Sequence, residues 1–279
     1  MNGLIVVNKD KDMTSRDVVN IISRKFNTKK VGHTGTLDPI ASGVLVVAIG
    51  KYTKLVDIIT SEKKEYIATM KLGVLTDTLD TTGIVLDKKD YNFSKDELLK
   101  VLEAFKTTYL QEVPKYSAVK INGKKLYEYA RNNIDIELPK REVTIYDIEL
   151  LEYNNDTIKF RCEVSKGTYI RSLIRDIANK LNTYASMSDL IRTKQGIFDI
   201  NDSYSLDDIN NDRYELLTYK DIFMDYKHIE LNDEEYFKVS NGQKMKFNSN
   251  DKLLILTYKN EYIAMYERDN YLYKIKVMF

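Results

Sequence analysis

Apolar residues recur along this chain at two spacings, one typical of strands and one of helices. Leu4-Ile5-Val6-Val7 reads as a short buried strand. Behind it, Thr14 or Ser15 can cap a helix whose Val18, Val19, Ile22 and Phe26 fall on one face. The stretch from Val31 to Gly50 is punctuated by glycine and predicts a loop leading into an apolar strand at Val44–Ile49. Residues 64–72 alternate, with Tyr66, Ala68, Met70 and Leu72 on one side, which predicts a half-buried strand. Ser94-Lys95-Asp96-Glu97 is a capping box that opens a helix with Leu98, Val101, Leu102 and Phe105 inward. Strands are expected at about 143–152 and 157–164. A turn at Ser165-Lys166-Gly167 then leads to a helix carrying Ile170, Leu173, Ile174, Ile177, Ala178 and Leu181.

The chain changes character towards its end. Residues 199–235 are acidic and read as short helices and loops covering the main body. Residues 252–258, 261–267 and 271–279 read as strands rich in Leu, Ile and Tyr, separated by turns with Asn or Asp. A boundary near 228–230 predicts a main domain of residues 1–228 and a small all-β domain of residues 229–279. At that size the second unit leans on the first.

Composition narrows the function. The 43% hydrophobic and 30% charged residues fit a globular chain. No apolar run approaches the roughly 18 residues of a membrane span, and residues 1–4 do not begin a basic, apolar leader, so a cytoplasmic, soluble protein is expected. A single cysteine, Cys162, and two distant histidines offer neither a disulfide framework nor a local metal motif, so no metal and no cofactor are expected. The formal net charge is +1, but it is unevenly spread. Residues 195–240 hold 12 acidic against 4 basic side chains, residues 161–194 hold 7 basic against 3 acidic, and Arg24, Lys25, Lys29 and Lys30 cluster. This asymmetry is compatible with one face built for a polyanion, and equally with a solvated mosaic.

Candidate chemistry concentrates in Gly32-His33-Thr34-Gly35-Thr36-Leu37-Asp38-Pro39-Ile40-Ala41-Ser42-Gly43. Its glycines permit close backbone approach, and Pro39 biases Asp38 towards an extended conformation. Asp38 is a plausible catalytic carboxylate there. A plain turn capped by Asp38 explains the same residues. Other motifs fail on spacing: Gly43 to Gly50-Lys51 is too long for a phosphate-cradling loop, and Asp77 with Asp80 lacks the spacing of a calcium loop.

The stretch Gly32–Pro39 with Gly43-Val44-Leu45 resembles the signature of the bacterial tRNA pseudouridine-55 synthases, the TruB family. Three further blocks share the resemblance in order: Lys64-Glu65-Tyr66 to Leu72-Gly73 with Thr76–Asp80 and Gly83; Val113–Lys120 with Gly123–Arg131; and Ser165–Arg171. The resemblance implies an α+β fold around a large mixed, mainly antiparallel sheet, with a small C-terminal β domain resembling the RNA-binding PUA module. It implies isomerisation of the uridine at position 55, in the T loop of tRNA, to pseudouridine, with no cofactor, no membrane and no protein partner. A monomer is expected. The partner is the T arm of tRNA, with the acceptor arm reached through the C-terminal domain.

Site roles follow residue by residue from the same resemblance. Asp38 matches the catalytic aspartate, and Arg171 the arginine that pairs with it. Tyr66 matches the tyrosine stacked on the target uracil, where it can also handle a proton. Tyr169 and Leu190 match pocket positions, although a leucine at helical spacing also suits a core. His33 matches the histidine that fills space vacated by flipped bases. Asp80 is expected as a second partner of Arg171, and Lys9 lies in the N-terminal motif near the site. The sequence departs from the family pattern where Asp10 and Asp12 replace a proline and a glycine, and where Ser186 and Ile191 replace a histidine and an arginine. Two rivals stay open: an RNA-binding or tRNA-folding module without catalysis, and the catalytic subunit of a guide-RNA pseudouridylation complex.

Overall fold

A computed structural model describes residues 1–132 and 134–279. The chain opens with β1 (Gly3–Lys9), α1 (Ser15–Lys25), β2 (Val31–His33), β3 (Ala41–Ile49) and α2 (Val56–Thr60). Next come β4 (Lys64–Leu72), the hairpin β5 (Val74–Thr76) and β6 (Val85–Lys88), α3 (Lys95–Ala104) and β7 (Thr108–Glu112). A two-residue hairpin, β8 (Lys120–Ile121) and β9 (Lys124–Lys125), precedes α4 (Leu126–Arg131). The body closes with β10 (Lys140–Tyr153), β11 (Thr157–Val164), α5 (Ile170–Lys180), β12 (Ala185–Gln195) and β13 (Phe198–Asp199). The tail contains α6 (Leu206–Asn210), α7 (Tyr219–Ile222), β14 (Lys227–Glu230), α8 (Asp233–Ser240), β15 (Leu253–Tyr258), β16 (Glu261–Asp269) and β17 (Leu272–Met278).

The large sheet runs β1-β3-β12-β4-β11-β10-β7, with β2 beside β3 and β13 beside β12. Its pairings are antiparallel except β3 with β12. It is the large mixed, mainly antiparallel sheet expected of an α+β fold. Strand alternation sorts its two faces. Ile5, Val7, Leu45, Val47, Ala68, Met70 and Phe160 join Val18 and Ile22 of α1, Leu98 and Leu102 of α3, and Leu173, Ile174 and Ile177 of α5 in one core. Leu4, Val6, Val44 and Val46 point the other way and pack with Ile255 and Met265 of the small sheet. The Thr14/Asp17 and Ser94/Glu97 capping boxes both form, each N-cap contributing about 1 kcal/mol.

Two sequence expectations change. The segment 185–195 is a central strand, so Leu190 lies on β12 between β3 and β4 rather than at helical spacing. The acidic stretch does not end in loops: β14 pairs in parallel with β15, making the small sheet β14-β15-β16-β17 begin at Lys227. A division at 228/229 therefore cuts a strand. Among the described residues, no helix is long and apolar enough to cross a membrane.

Candidate active site

Asp38 sits on the loop between β2 and β3, at the floor of a cavity of about 480 Å³. The loop is held from below by side chains that the sequence scatters widely. Ser15 accepts from the Leu37 amide at 2.9 Å and lies 3.3 Å from the Leu37 carbonyl oxygen. Gln195 Nε2 donates to the Thr34 carbonyl at 2.6 Å. Arg192, 1% exposed, donates from Nε to the Val44 carbonyl at 2.7 Å and from Nη2 to the Gly35 carbonyl at 3.1 Å. Gly43 is required at this crossing: its φ is +100°, and a Cβ there would collide with the Arg192 backbone.

Arg171, near the start of α5, grips the carboxylate. Its Nε lies 2.9 Å from Asp38 Oδ2 and its Nη2 3.2 Å from Oδ1, a two-pronged, charge-assisted contact. The guanidinium is itself fixed by the Thr78 and Tyr116 carbonyls, each at 2.9 Å. Its side chain is 6% exposed, against 33% for Asp38, so the carboxylate is the more exposed member of the pair. Tyr66 on β4, Tyr169 at the head of α5 and Leu190 on β12 also line the cavity. The structure thus brings together Asp38, Arg171, Tyr66, Tyr169 and Leu190.

Three expected site residues stand elsewhere. Lys9 is fully buried, and its ammonium donates to the Asp10 and Met13 carbonyls at 2.7 Å and to the Pro39 carbonyl at 3.5 Å. It braces the loop next to Asp38 instead of reaching into the cavity, and burial pulls its pKa down to about 8. Asp80 lies behind Arg171, with Oδ2 3.8 Å from Nη1, and is held by Thr78 and Thr82. His33 is on β2 outside the cavity wall. Its Nδ1 accepts from the Gly35 amide at 3.3 Å, and burial together with Arg16 and Arg192 lowers its pKa.

Two of the four departures from the family pattern, Asp12 and Ser186, have local explanations. Asp12 adopts φ +63°, the left-handed turn in which glycine is the default, and its amide donates to the Pro39 carbonyl at 2.9 Å. Ser186 is fully buried and donates to the Val74 carbonyl at 2.9 Å, so it offers nothing to a ligand. The basic segment 161–194 is not a free cationic face. Arg161 pairs with Glu65, Asp147 and Glu149, Arg175 with Glu112 and Asp176, and Lys194 with Asp199. Nor does the acidic stretch lie apart from residues 24–30: Asp212 pairs with Lys25 at 2.6 Å. Charge counted along a sequence window ignores the alternation of side chains across a strand and the partners supplied by its neighbours.

Sequence reasoning overlooked Lys64, Arg141 and Tyr116 in the cavity wall. Lys64 donates to the Thr60 carbonyl at 2.6 Å and to the Glu62 carbonyl at 2.5 Å, and burial lowers its pKa to about 8. Among the described residues no cluster of His, Cys, Asp and Glu could hold a metal ion.

The class of this protein, a pseudouridylate synthase, follows from its likeness to known proteins. Residues 23–170 match the TruB family pseudouridylate synthase (N terminal domain), and residues 171–221 match the tRNA pseudouridylate synthase B C-terminal domain. The chain is 43% identical over 278 residues to tRNA pseudouridine synthase B of Clostridium tetani, covering 98% of this chain and 94% of the relative. The tRNA pseudouridine synthase B of Acholeplasma laidlawii is 42% identical over 282 residues and the full length of both chains. Among solved structures, a chain of a Cbf5-Nop10-Gar1 complex superposes with a TM-score of 0.74 at 25% identity, covering 99% of this chain and 84% of that one. A chain of an H/ACA RNP bound to a substrate RNA containing 2'-deoxyuridine gives a TM-score of 0.73 at 24% identity, covering 99% and 84%, and so shares the fold. The chain belongs to the TruB family of pseudouridylate synthases and is an isomerase.

Proposed function

We propose that this chain converts one uridine of tRNA, at position 55 in the T loop, to pseudouridine. The observation that carries the reading is the Asp38 carboxylate, forked by Arg171 and presented into a cavity walled by Tyr66 and Leu190. The target uridine leaves its stack to reach this floor, as enzymes acting on a base within structured nucleic acid require. The N1–C1′ bond breaks, the uracil turns, and a C5–C1′ bond forms. The proton lost from C5 is balanced by one gained at N1, so no redox partner or group donor enters.

Asp38 acts as nucleophile, or as base and charge stabiliser, near C1′. Attack on the base, attack at the sugar and elimination to a glycal all use this carboxylate. Arg171 holds it in one orientation and balances its charge. Tyr66 presents a ring face to the uracil, a contact worth roughly 1–3 kcal/mol per base. His33 fills the space left in the RNA loop, Tyr169 and Leu190 shape the pocket, and Lys9 and Asp80 position its floor from behind. The small C-terminal sheet, resembling PUA, reaches the acceptor arm. The enzyme works as a monomer.

The test is direct. Purified protein, given a bare T-arm hairpin and no guide RNA, forms one pseudouridine, found by mass spectrometry after chemical labelling at the target position. Binding of the hairpin without any pseudouridine would establish the non-catalytic rival. Activity appearing only after addition of guide RNA and further proteins would establish the ribonucleoprotein rival.

A further inference from the structure

The cavity contains one carboxylate, Asp38, and five cations: Lys64, Arg141, Lys166, Arg171 and Arg192. Three of the five are already engaged. Arg171 forks Asp38, Arg192 caps the Val44 and Gly35 carbonyls, and Lys64 caps those of Thr60 and Glu62. Arg141 and Lys166 take part in no ion pair or side-chain hydrogen bond among the described residues. With Asp38 and Arg171 balancing each other at the floor, these two leave uncompensated positive charge in the wall.

Their placement is built into the fold. Arg141 is the second residue of β10 and is half-buried, while Lys166 lies exposed in the turn between β11 and α5. The Ser165 hydroxyl accepts from the Thr144 amide at 2.9 Å, tying that turn to Arg141's strand. Gly167, with φ +86°, passes beside the Arg141 side chain, and a Cβ on it would stand 3.5 Å from both Cδ and Nη1. The arginine and the lysine therefore share one side of the cavity.

A nucleotide whose base and ribose reach the Asp38 floor must leave its flanking phosphates nearer the mouth. We propose that Arg141 and Lys166 form a phosphate clamp on the RNA backbone flanking the flipped uridine. Arg141 takes one phosphate with its planar fork, a geometry suited to two oxygens, and Lys166 contacts the adjacent one as a point charge. This clamp rests on the reading that the substrate is a uridine within RNA. Both are binding residues that fix register and depth, and neither touches the reacting atoms.

The experiment uses the full-length protein and a T-arm hairpin, either unmodified or with a single neutral methylphosphonate 5′ or 3′ of the target uridine. With Arg141→Gln, hairpin Kd should rise about ten- to hundredfold, as expected for loss of a charge-assisted contact. The log–log salt slope of binding should fall by about one unit, and Lys166→Ala should remove a further unit. Arg141→Lys should recover part of the affinity. On one of the two methylphosphonate hairpins the Arg141→Gln penalty should vanish, and wild-type protein should itself lose about one unit of slope there. An unchanged Kd and slope for Arg141→Gln would overturn the clamp, as would an equal penalty on all three hairpins. If Arg141→Gln melts early, the wild-type slopes on the three hairpins decide the matter alone. Absence of pseudouridine from wild-type reactions would instead sink the functional reading, and the binding data would remain interpretable.

Discussion

The two walls of the active cavity are built differently. The wall that carries Asp38 is fastened from within. Lys9, Ser15, Arg192 and Gln195 are all buried, and all four bind backbone groups of residues 34–44. The facing wall includes Tyr116, Ser117, Ala118 and Tyr127, around the short β8–β9 hairpin and the short helix α4, which has Leu126 as its one buried residue. Tyr127 there is flanked by Lys125 and Arg131 at 5.3 and 5.4 Å from its ring. One side fixes a carboxylate to within a hydrogen bond. The other offers side chains with few internal partners, the kind of surface that opens locally at low free-energy cost. The two walls meet at Arg171, whose guanidinium forks Asp38 and is itself held by the Tyr116 carbonyl at 2.9 Å.

Breaking the fork should have the largest effect. Arg171→Lys leaves one point charge where two prongs held Asp38, and the Thr78 and Tyr116 carbonyls lose a partner. Single-turnover rates on the hairpin should fall by about a hundredfold or more, with Kd changed by less than tenfold. A rate loss matched by the loss in binding would show that Arg171 serves affinity, not orientation.

Stability should separate the walls next. Arg192→Met strands the Val44 carbonyl in the interior, at about 1–3 kcal/mol, and removes the half-buried contact to the Gly35 carbonyl. Lys125→Ala, beside Tyr127 of the other wall, should stay within about 0.5 kcal/mol of wild type. Denaturant titration measures both. Similar midpoints for the two variants would contradict the contrast.

A pH dependence is the third test. Lys9 has its pKa lowered from 10.5 to about 8, chiefly by burial. The unfolded chain therefore holds more protons at this site between pH 8 and 10.5, and the destabilisation it causes is full below pH 8 and fades as the pH rises. The unfolding free energy of wild type relative to Lys9→Met should thus improve across that window. A difference that stays flat would mean Lys9 is as well solvated in the fold as in the unfolded chain.

The fastened wall was also the harder one to read from sequence. Strand and helix periods in 64–72, 95–105, 157–164 and 170–181 matched the folded elements because apolar alternation follows directly from one-sided burial. Strand β12 gave no such signal. Its Ser186, Arg192 and Gln195 are buried polar residues whose hydrogen-bond partners come from distant segments, so the strand lacks a clean apolar face. For the same reason Lys9 and Arg192, cations with surface-like chemistry, concealed interior positions. Asp38, Arg171 and Tyr66 were legible as a set through motif resemblance alone, since no periodicity joins residues so far apart. Arg141 escaped notice because its significance lies in having no partner, which only a folded neighbourhood reveals.

The central claim, that the Asp38 carboxylate performs the isomerisation, rests on one paired measurement. Wild-type protein and Asp38→Asn, matched for hairpin Kd, are incubated in excess over the T-arm hairpin, and pseudouridine is counted by mass spectrometry. The substitution is nearly isosteric and affinity comes mainly from phosphate contacts, so binding should stay within about tenfold while product falls to nothing detectable. Pseudouridine accumulating with Asp38→Asn at a measurable rate would contradict the account at its base.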